Sequence, residues 1–262
     1  MRAMWSAASG MNSIQKQIDT ISNNLSNVNT IGFKNQRVEF KDLMYEKVNP
    51  EDFVREDGRI SQLEIGNGVM AIATTRNFTN GSFNQTEKEL DFAVNGPGFF
   101  VIENQNGEER YTRDGTFKLS IDDGEASLRT SSGYAVMGED GPIELGADVA
   151  SISVSEEGMI TVQRSDGEKE TVNQIKLITF ANPEGLSSEG KNLYSETDIS
   201  GTPLDNENGV AGEVWQGYLE TSNVQVIEEM VNMISAQRAY ELNSKTIQTV
   251  DSMLSVANNI KR

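Results

Sequence analysis

The sequence predicts an α+β chain: N- and C-terminal coiled-coil helices paired as a rod domain, with a central all-β antiparallel body, sandwich- or barrel-like. Three observations carry this. Apolar residues recur at alternating spacings of three and four at both ends, the signature of a helical seam. Between them, Asn-Gly and Asp-Gly pairs punctuate short runs of β-branched and aromatic residues. Pro50, Pro97, Pro142, Pro183 and Pro203 all fall outside the two seam segments.

The first seam is Met4, Ala7, Met11, Ile14, Ile18, Ile21, Leu25 and Val28. It predicts a helix over residues 4–28, roughly 35–40 Å long. Asn27, Asn29 and Gly32 tolerate left-handed backbone and end it. Residues 33–75 read as a linker or extended β segment. It contains a polar loop, 48–66, that is long for a connector and therefore expected to have a task of its own. Residues 76–217 carry the β pattern, with turn signals at Asn80-Gly81, Asn95-Gly96, Asn106-Gly107, Asp114-Gly115, Asp123-Gly124, Asp140-Gly141 and Asp166-Gly167. The second seam is Val226, Met233, Ala236, Tyr240, Ile247, Val250, Leu254 and Ala257, with Glu229 and Asn243 as polar exceptions in its frame. Ser222 or Asn223 can cap that helix, and Glu228 and Glu229 suit its early turns. The expected domains are thus 1–32 with 222–262 (helical), 33–75 (linker or extended β segment) and 76–217 (β body).

Charge is distributed unevenly. The net charge is −18, yet residues 1–47 hold six basic against four acidic residues and residues 217–262 hold four against five. The middle carries 12 basic and 31 acidic residues. Such a body repels nucleic acid and anionic membranes. There is no Cys and no His. That removes disulfides, thiolate chemistry, the usual general base and the commonest transition-metal ligands. No cofactor, metal site or catalytic set is expected. Asp205-Asn206-Glu207-Asn208-Gly209 lacks the alternation and closing Glu of a calcium loop. Gly96-Pro97-Gly98 has no Gly-Lys-Ser/Thr behind it and is not a phosphate loop. No segment spans a bilayer, and the N-terminus has no apolar core or cleavage pattern of a secretory signal.

Each terminal helix also carries apolar residues off its seam: Trp5 and Ala8 on the first, Val224, Ile227, Met230, Val231, Ile234 and Leu242 near or on the second. One partner per helix leaves these exposed, and their burial favours further packing. Termini that order when copies pack are the expectation. Three readings stay open from the residues alone: a structural protein that polymerises through its ends, a coiled-coil adaptor, and a carboxylate-based glycan hydrolase.

One family matches these blocks. Ile21-Ser22-Asn23-Asn24-Leu25-Ser26-Asn27-Val28-Asn29-Thr30-Ile31-Gly32-Phe33-Lys34 resembles the N-terminal signature of bacterial flagellar rod and hook proteins, with Asn23, Asn24, Leu25, Asn27, Thr30, Gly32, Phe33 and Lys34 as the matching positions. Gly217-Tyr218-Leu219-Glu220-Thr221-Ser222-Asn223-Val224 and the helix after it resemble that family's closing segment. Val94-Asn95-Gly96-Pro97-Gly98-Phe99-Phe100 and Tyr111-Thr112-Arg113-Asp114-Gly115-Thr116-Phe117 resemble its middle. Length and these blocks agree best with the distal-rod branch; a proximal-rod or hook-type paralogue is the alternative. The resemblance implies terminal helices forming an inner tube, with the β body outside. It implies export through the flagellar export apparatus without signal cleavage, and polymerisation into the hollow shaft that carries torque to the hook. Implied partners are copies of the chain, other rod and hook proteins, the export apparatus and ring or bushing proteins, with no nucleic acid and no membrane insertion. Residues 45–66 resemble the stretch that separates distal rod from hook, and residues 49–62 are expected to stiffen the shaft.

Overall fold

The computed structural model describes residues 2–48, 63–104, 106–122, 125–146, 149–165, 167–206 and 209–260. The chain forms two units. One comprises Met1–Ser26, Gln36–Thr75 and Gln225–Arg262; the other comprises Asn27–Asn35 and Arg76–Val224.

The first unit holds the helices: α1, Arg2–Ser26, and α2, Val226–Ile260. Both lack internal proline, and α2 starts with Glu228 and Glu229 in its first turn, the favourable sign for its dipole. α1 ends near the expected position, where Thr30 donates its N–H to Asn27 O. Within this unit strand Gln36–Asp42 pairs with Val69–Arg76, and Glu46–Val48 pairs antiparallel with Leu63–Ile65. Residues 33–75 thus contain strands, within the extended β segment the sequence suggested. The 49–62 segment lies outside the described residues, as do the Asp123-Gly124 turn and Asp166.

The second unit is an antiparallel β body without barrel closure. Its main path runs Glu144–Gly146, Glu125–Thr130, Ala135–Gly138, Phe99–Glu103, Glu109–Thr112, Leu193–Ser195, Ser187–Gly190, with further strands branching from it. A separate sheet contains Val149–Val154, Met159–Arg164 and Lys169–Gln174. Strand Phe99–Glu103 shows why the body needs no polar face here. Side chains alternate along a strand, and both of its faces are buried. Phe100 and Ile102 join a core with Phe92, Phe117, Leu128 and Ile160, whereas Phe99 and Val101 join one with Tyr111, Phe180 and Tyr194. The Asn106-Gly107 turn joins this strand to Glu109–Thr112, with Gly107 at φ +79 as the hairpin reading requires.

Candidate functional site

Among the described residues no group of acidic side chains could hold a metal ion, and no helix is long and apolar enough to cross a membrane. The features built by sequence-distant residues are two: the packed faces of the helices, and a buried ion cluster in the body.

In the helical unit, α1 and α2 lie side by side and run antiparallel, since Gly10 approaches Asn243 while Asn24 meets Glu229. The buried positions of α1 are Ala7, Gly10, Ser13, Ile21 and Asn24; those of α2 are Glu229 and Ala236. Apart from Ile21, these buried positions are small or polar. A Cβ at Gly10 would stand 3.2 Å from Asn243 Nδ2. Asn24 donates from Nδ2 to Gln36 O (2.8 Å) and accepts from Gln36 N–H at Oδ1 (2.9 Å). The same amide reaches Glu229 Oε1 at 3.3 Å. Burial pushes the Glu229 carboxyl above its usual range, the Asn24 hydrogen bond opposing the shift. Glu229 and Asn243, set aside in the sequence as breaks in an apolar frame, sit on the side that meets α1. Only a partner polar residue on the other helix could have flagged them, and Asn24 is that residue.

The larger seam residues lie at the margins of this contact. Met4, Met11, Ile14, Ile18, Leu25 and Val28 are half-buried, as are Met233, Ile247 and Val250. Val226, Tyr240, Leu254 and Ala257 are exposed. The opposite face of α2 is open and apolar in its first turns, where Ile227 is 81 % exposed and Met230, Val231 and Ile234 are exposed too, and mixed beyond them, where Arg238, Glu241 and Lys245 stand exposed beside Leu242. At about 100° per residue these stand far round the helix from Glu229 and Ala236. The outer face of α1 is different, carrying Asn12, Gln15, Lys16, Asp19 and Asn23 alongside Trp5 and Ala8. α2 has 35 residues to the 25 of α1. With Gly10 beside Asn243, its last ten residues run past the start of α1, and all of residues 251–260 are exposed, Met253, Leu254, Val256 and Ile260 included.

In the body, one residue from each of three resembling blocks meets in a single cluster. Lys34, Arg113 and Glu220, each about 1 % exposed, come from the three separate blocks picked out in the sequence. Lys34 Nζ donates to Glu220 Oε1 at 2.7 Å and to Thr79 O at 2.8 Å. Gly81 N–H donates to the same carboxylate oxygen at 2.8 Å. Arg113 Nη1 lies 3.6 Å from Glu220 Oε2 and donates to Asn80 Oδ1 at 3.3 Å, and its guanidinium carbon sits 4.7 Å from the Phe99 ring centre. Burial holds the Lys34 ammonium down to about 8, outweighing the attraction of Glu220. Burial lowers Arg113 as well, against the same carboxylate.

The backbone of the signature fits this cluster. Gly32 has φ +67 and donates its N–H to Glu220 O at 2.9 Å. A Cβ there would stand 2.8 Å from Arg113 C, so glycine is required both for conformation and for space. Thr30 donates its hydroxyl to Asn27 Oδ1, and Phe33 is buried. Asn223 closes the arrangement, accepting from Asn35 N–H (2.8 Å) and donating to Asn77 O (2.9 Å). The sequence marks these positions only as a resemblance; the salt bridge linking residues 34 and 220 carries no local pattern.

Three family models match the chain: Flagella basal body rod protein over residues 4–34, Flagellar hook protein FlgE/F/G D1 domain over 93–162, and Flagellar basal body rod FlgEFG protein C-terminal over 216–260. The chain is 45 % identical to the flagellar basal-body rod protein FlgG of Borreliella burgdorferi, over 100 % of this chain and 99 % of that protein. It is 36 % identical to FlgG of Bacillus subtilis over the full length of both. It is 33 % identical to the flagellar hook-basal body complex protein FlhP of the same organism, again over both full lengths. The crystal structure of Helicobacter pylori flagellar hook protein FlgE2 aligns at 15 % identity over 62 % of this chain and 47 % of that one, with a TM-score of 0.25, too low to define a shared fold. With full-length identity at this level, and with the matched ends supplying Asn24, Lys34, Glu220 and Glu229, the chain belongs to the flagellar basal-body rod family.

Proposed function

We propose that this chain is a structural subunit of the flagellar distal rod, polymerising into the rigid hollow shaft that carries motor torque to the hook. The observation that carries the assembly mechanism is the open apolar face of α2 together with its overhang. Ile227, Val231, Ile234 and Leu242, then Met253, Val256 and Ile260, find no cover among the described residues of the chain. Burial of such surface contributes about 25 cal/mol per Å², and copies of the same chain offer the half-buried flanks Met11, Ile14 and Ile18 as a receiving surface. Two different patches meeting head to tail generate an open helical filament rather than a closed dimer. In this reading α1 and α2 pair as a coiled coil and line an inner tube, with the acidic body outside. Other rod and hook proteins continue the same packing at either end. Export through the flagellar apparatus without signal cleavage, contact with ring or bushing proteins, and stiffening by residues 49–62 belong to the same proposal.

Limited proteolysis tests it. Residues 1–30 and 225–262 should be cut readily in the dilute chain and protected in the polymer. Equal protection in both states would mean that one α1–α2 pair satisfies the helices by itself. Deleting residues 49–62 should leave polymerisation intact and yield curved filaments; filaments as straight as the parent's would remove the stiffening role.

A further inference from the structure

We infer that Asn67 and Asn106 are sites of spontaneous deamidation, and that the fold locks the same chemistry at Asn80 and Asn95. Water is the co-reactant, and the inference stands apart from the polymer reading above.

Among the described residues these four asparagines precede glycine. In such a pair the glycine backbone nitrogen, unhindered by a Cβ, attacks Cγ of the asparagine side chain. Hydroxide or buffer takes the N–H proton. The new N–Cγ bond closes a five-membered imide, and the side-chain nitrogen leaves as ammonia. Water then opens either imide carbonyl, giving aspartate or isoaspartate. The step needs a side chain free to swing onto the backbone and a glycine N–H free to lose its proton.

The surface turn at Asn106 meets these needs. Asn106 and Gly107 are exposed, and among the described residues the Asn106 side chain has no hydrogen bond. Gly107 N–H bonds to Asn104 O at 2.9 Å, within the turn itself. Asn67 is exposed as well. Its amide donates to Met44 O at 2.9 Å, while Gly68 N–H has no hydrogen-bond partner among the described residues. Each site thus has a single neutral tie, and the tie at Asn67 is lost when the amide becomes an acid.

Asn80 is also exposed, so exposure alone does not sort the four. It is held on both sides of the reacting bond. Asn80 Oδ1 accepts from Arg113 at 3.3 Å, and Nδ2 donates to Val94 O at 3.4 Å. Gly81 N–H, the nitrogen that would attack, donates to Glu220 Oε1 at 2.8 Å, and Thr221 O packs where a Gly81 Cβ would stand. The Glu220 carboxylate is about 1 % exposed, and hydrogen bonds to an ionised acceptor are the stronger kind. Asn95 is half-buried in strand Phe92–Asn95, opposite Glu213, and Gly96 packs directly on Gly212. Closing an imide there would part the two strands.

The test ages the full chain at mildly alkaline pH and follows each Asn-Gly peptide by the mass gain of amide-to-acid exchange. Since Asn80 and Asn95 react only through local opening, Asn67 and Asn106 should deamidate about tenfold faster or more in the folded chain. In guanidinium all four should approach a common rate. Equal rates in the folded chain overturn the inference, as does an order that survives unfolding. Glu220→Gln, kept below its melting transition, should speed Asn80 relative to Asn106 in the same molecule. An unchanged ratio in that folded variant overturns the Glu220 lock. Where the variant does not fold, the folded-to-unfolded rate ratio of Asn80 in the parent decides, and a ratio near one ends the inference.

Discussion

Replacing Glu220 by Gln should unfold the β body more readily than any surface charge change. The carboxylate is about 1 % exposed and faces Lys34 at 2.7 Å, the Gly81 N–H at 2.8 Å and Arg113 at 3.6 Å. Gln keeps the shape and one acceptor but removes the only negative charge of the cluster. Two cations then remain buried, and Arg113 already has Nε and Nη2 without hydrogen-bond partners. Removing one member of a buried ion pair costs about 3–5 kcal/mol. For a domain of this size each kcal/mol lowers the melting temperature by about 2–4 °C, so a drop of about 6–20 °C is expected. Urea unfolding of the full chain, read by tryptophan emission, measures the free-energy loss, and a thermal melt by the same signal measures the drop. Trp215 packs against Phe83 and Tyr218 and reports the body, whereas Trp5 is 75 % exposed and changes little. The midpoint should fall with an unchanged slope against denaturant. Glu189→Gln, at a partly exposed pair with Arg110 (2.7 Å), should cost under about 1 kcal/mol. A Glu220→Gln loss as small as that of Glu189→Gln would refute the claim that this cluster holds the entering and leaving segments of the body.

The same cluster sets a pH dependence. Lys34 is held at about 8 in the folded chain by burial, against 10.5 as its ordinary value. Between these values the unfolded chain binds the extra proton, so stability should rise from pH 8 towards pH 10. Tyr111, raised to about 12 by burial, acts in the opposite sense only above pH 10. Equilibrium unfolding at pH 7, 8, 9 and 10 checks this, and Lys34→Met should abolish the rise. Gly32→Ala should destabilise the body by about 1–3 kcal/mol through its left-handed backbone and the Arg113 contact, which differential scanning calorimetry would register. Ile14→Asp or Ile18→Asp should block polymerisation while the body keeps its melting transition, since a buried unpaired charge recurs in every subunit; sedimentation of the polymer reads the outcome.

The two helices were legible because a three-four repeat is a local signal, as were the hairpins at Asn106-Gly107 and Asp140-Gly141. At Asn80-Gly81, Asn95-Gly96 and Asp114-Gly115 the same pairs join strands that do not pair with each other, since a turn dipeptide does not fix the partner of the strand that follows. The contact between the helices was less legible. Of the predicted seam residues Ala7, Ile21 and Ala236 are buried, while close approach at Gly10 and the Asn24–Glu229 hydrogen bond add small and polar residues the apolar frame did not mark, and Met11, Ile14 and Ile18 are half-buried. Strands Glu46–Val48 and Leu63–Ile65 fall in the extended β segment, whose polar and glycine-rich composition did not fix which residues pair. Of the sandwich- or barrel-like antiparallel body the sequence suggested, the antiparallel pairing is present among the described residues and barrel closure is not, because edge pairing is a non-local property. The ion cluster joins residues 34, 113 and 220 across most of the chain, and only the family resemblance pointed at its members.

The central claim is that the open face of α2 is where copies of this chain meet. Electron cryomicroscopy of the assembled polymer tests it most directly. The account predicts density in which Ile227, Val231, Ile234, Val256 and Ile260 are buried against helices of neighbouring copies around an axial channel. A polymer in which that face lines solvent, with copies joined through their β bodies alone, would contradict it.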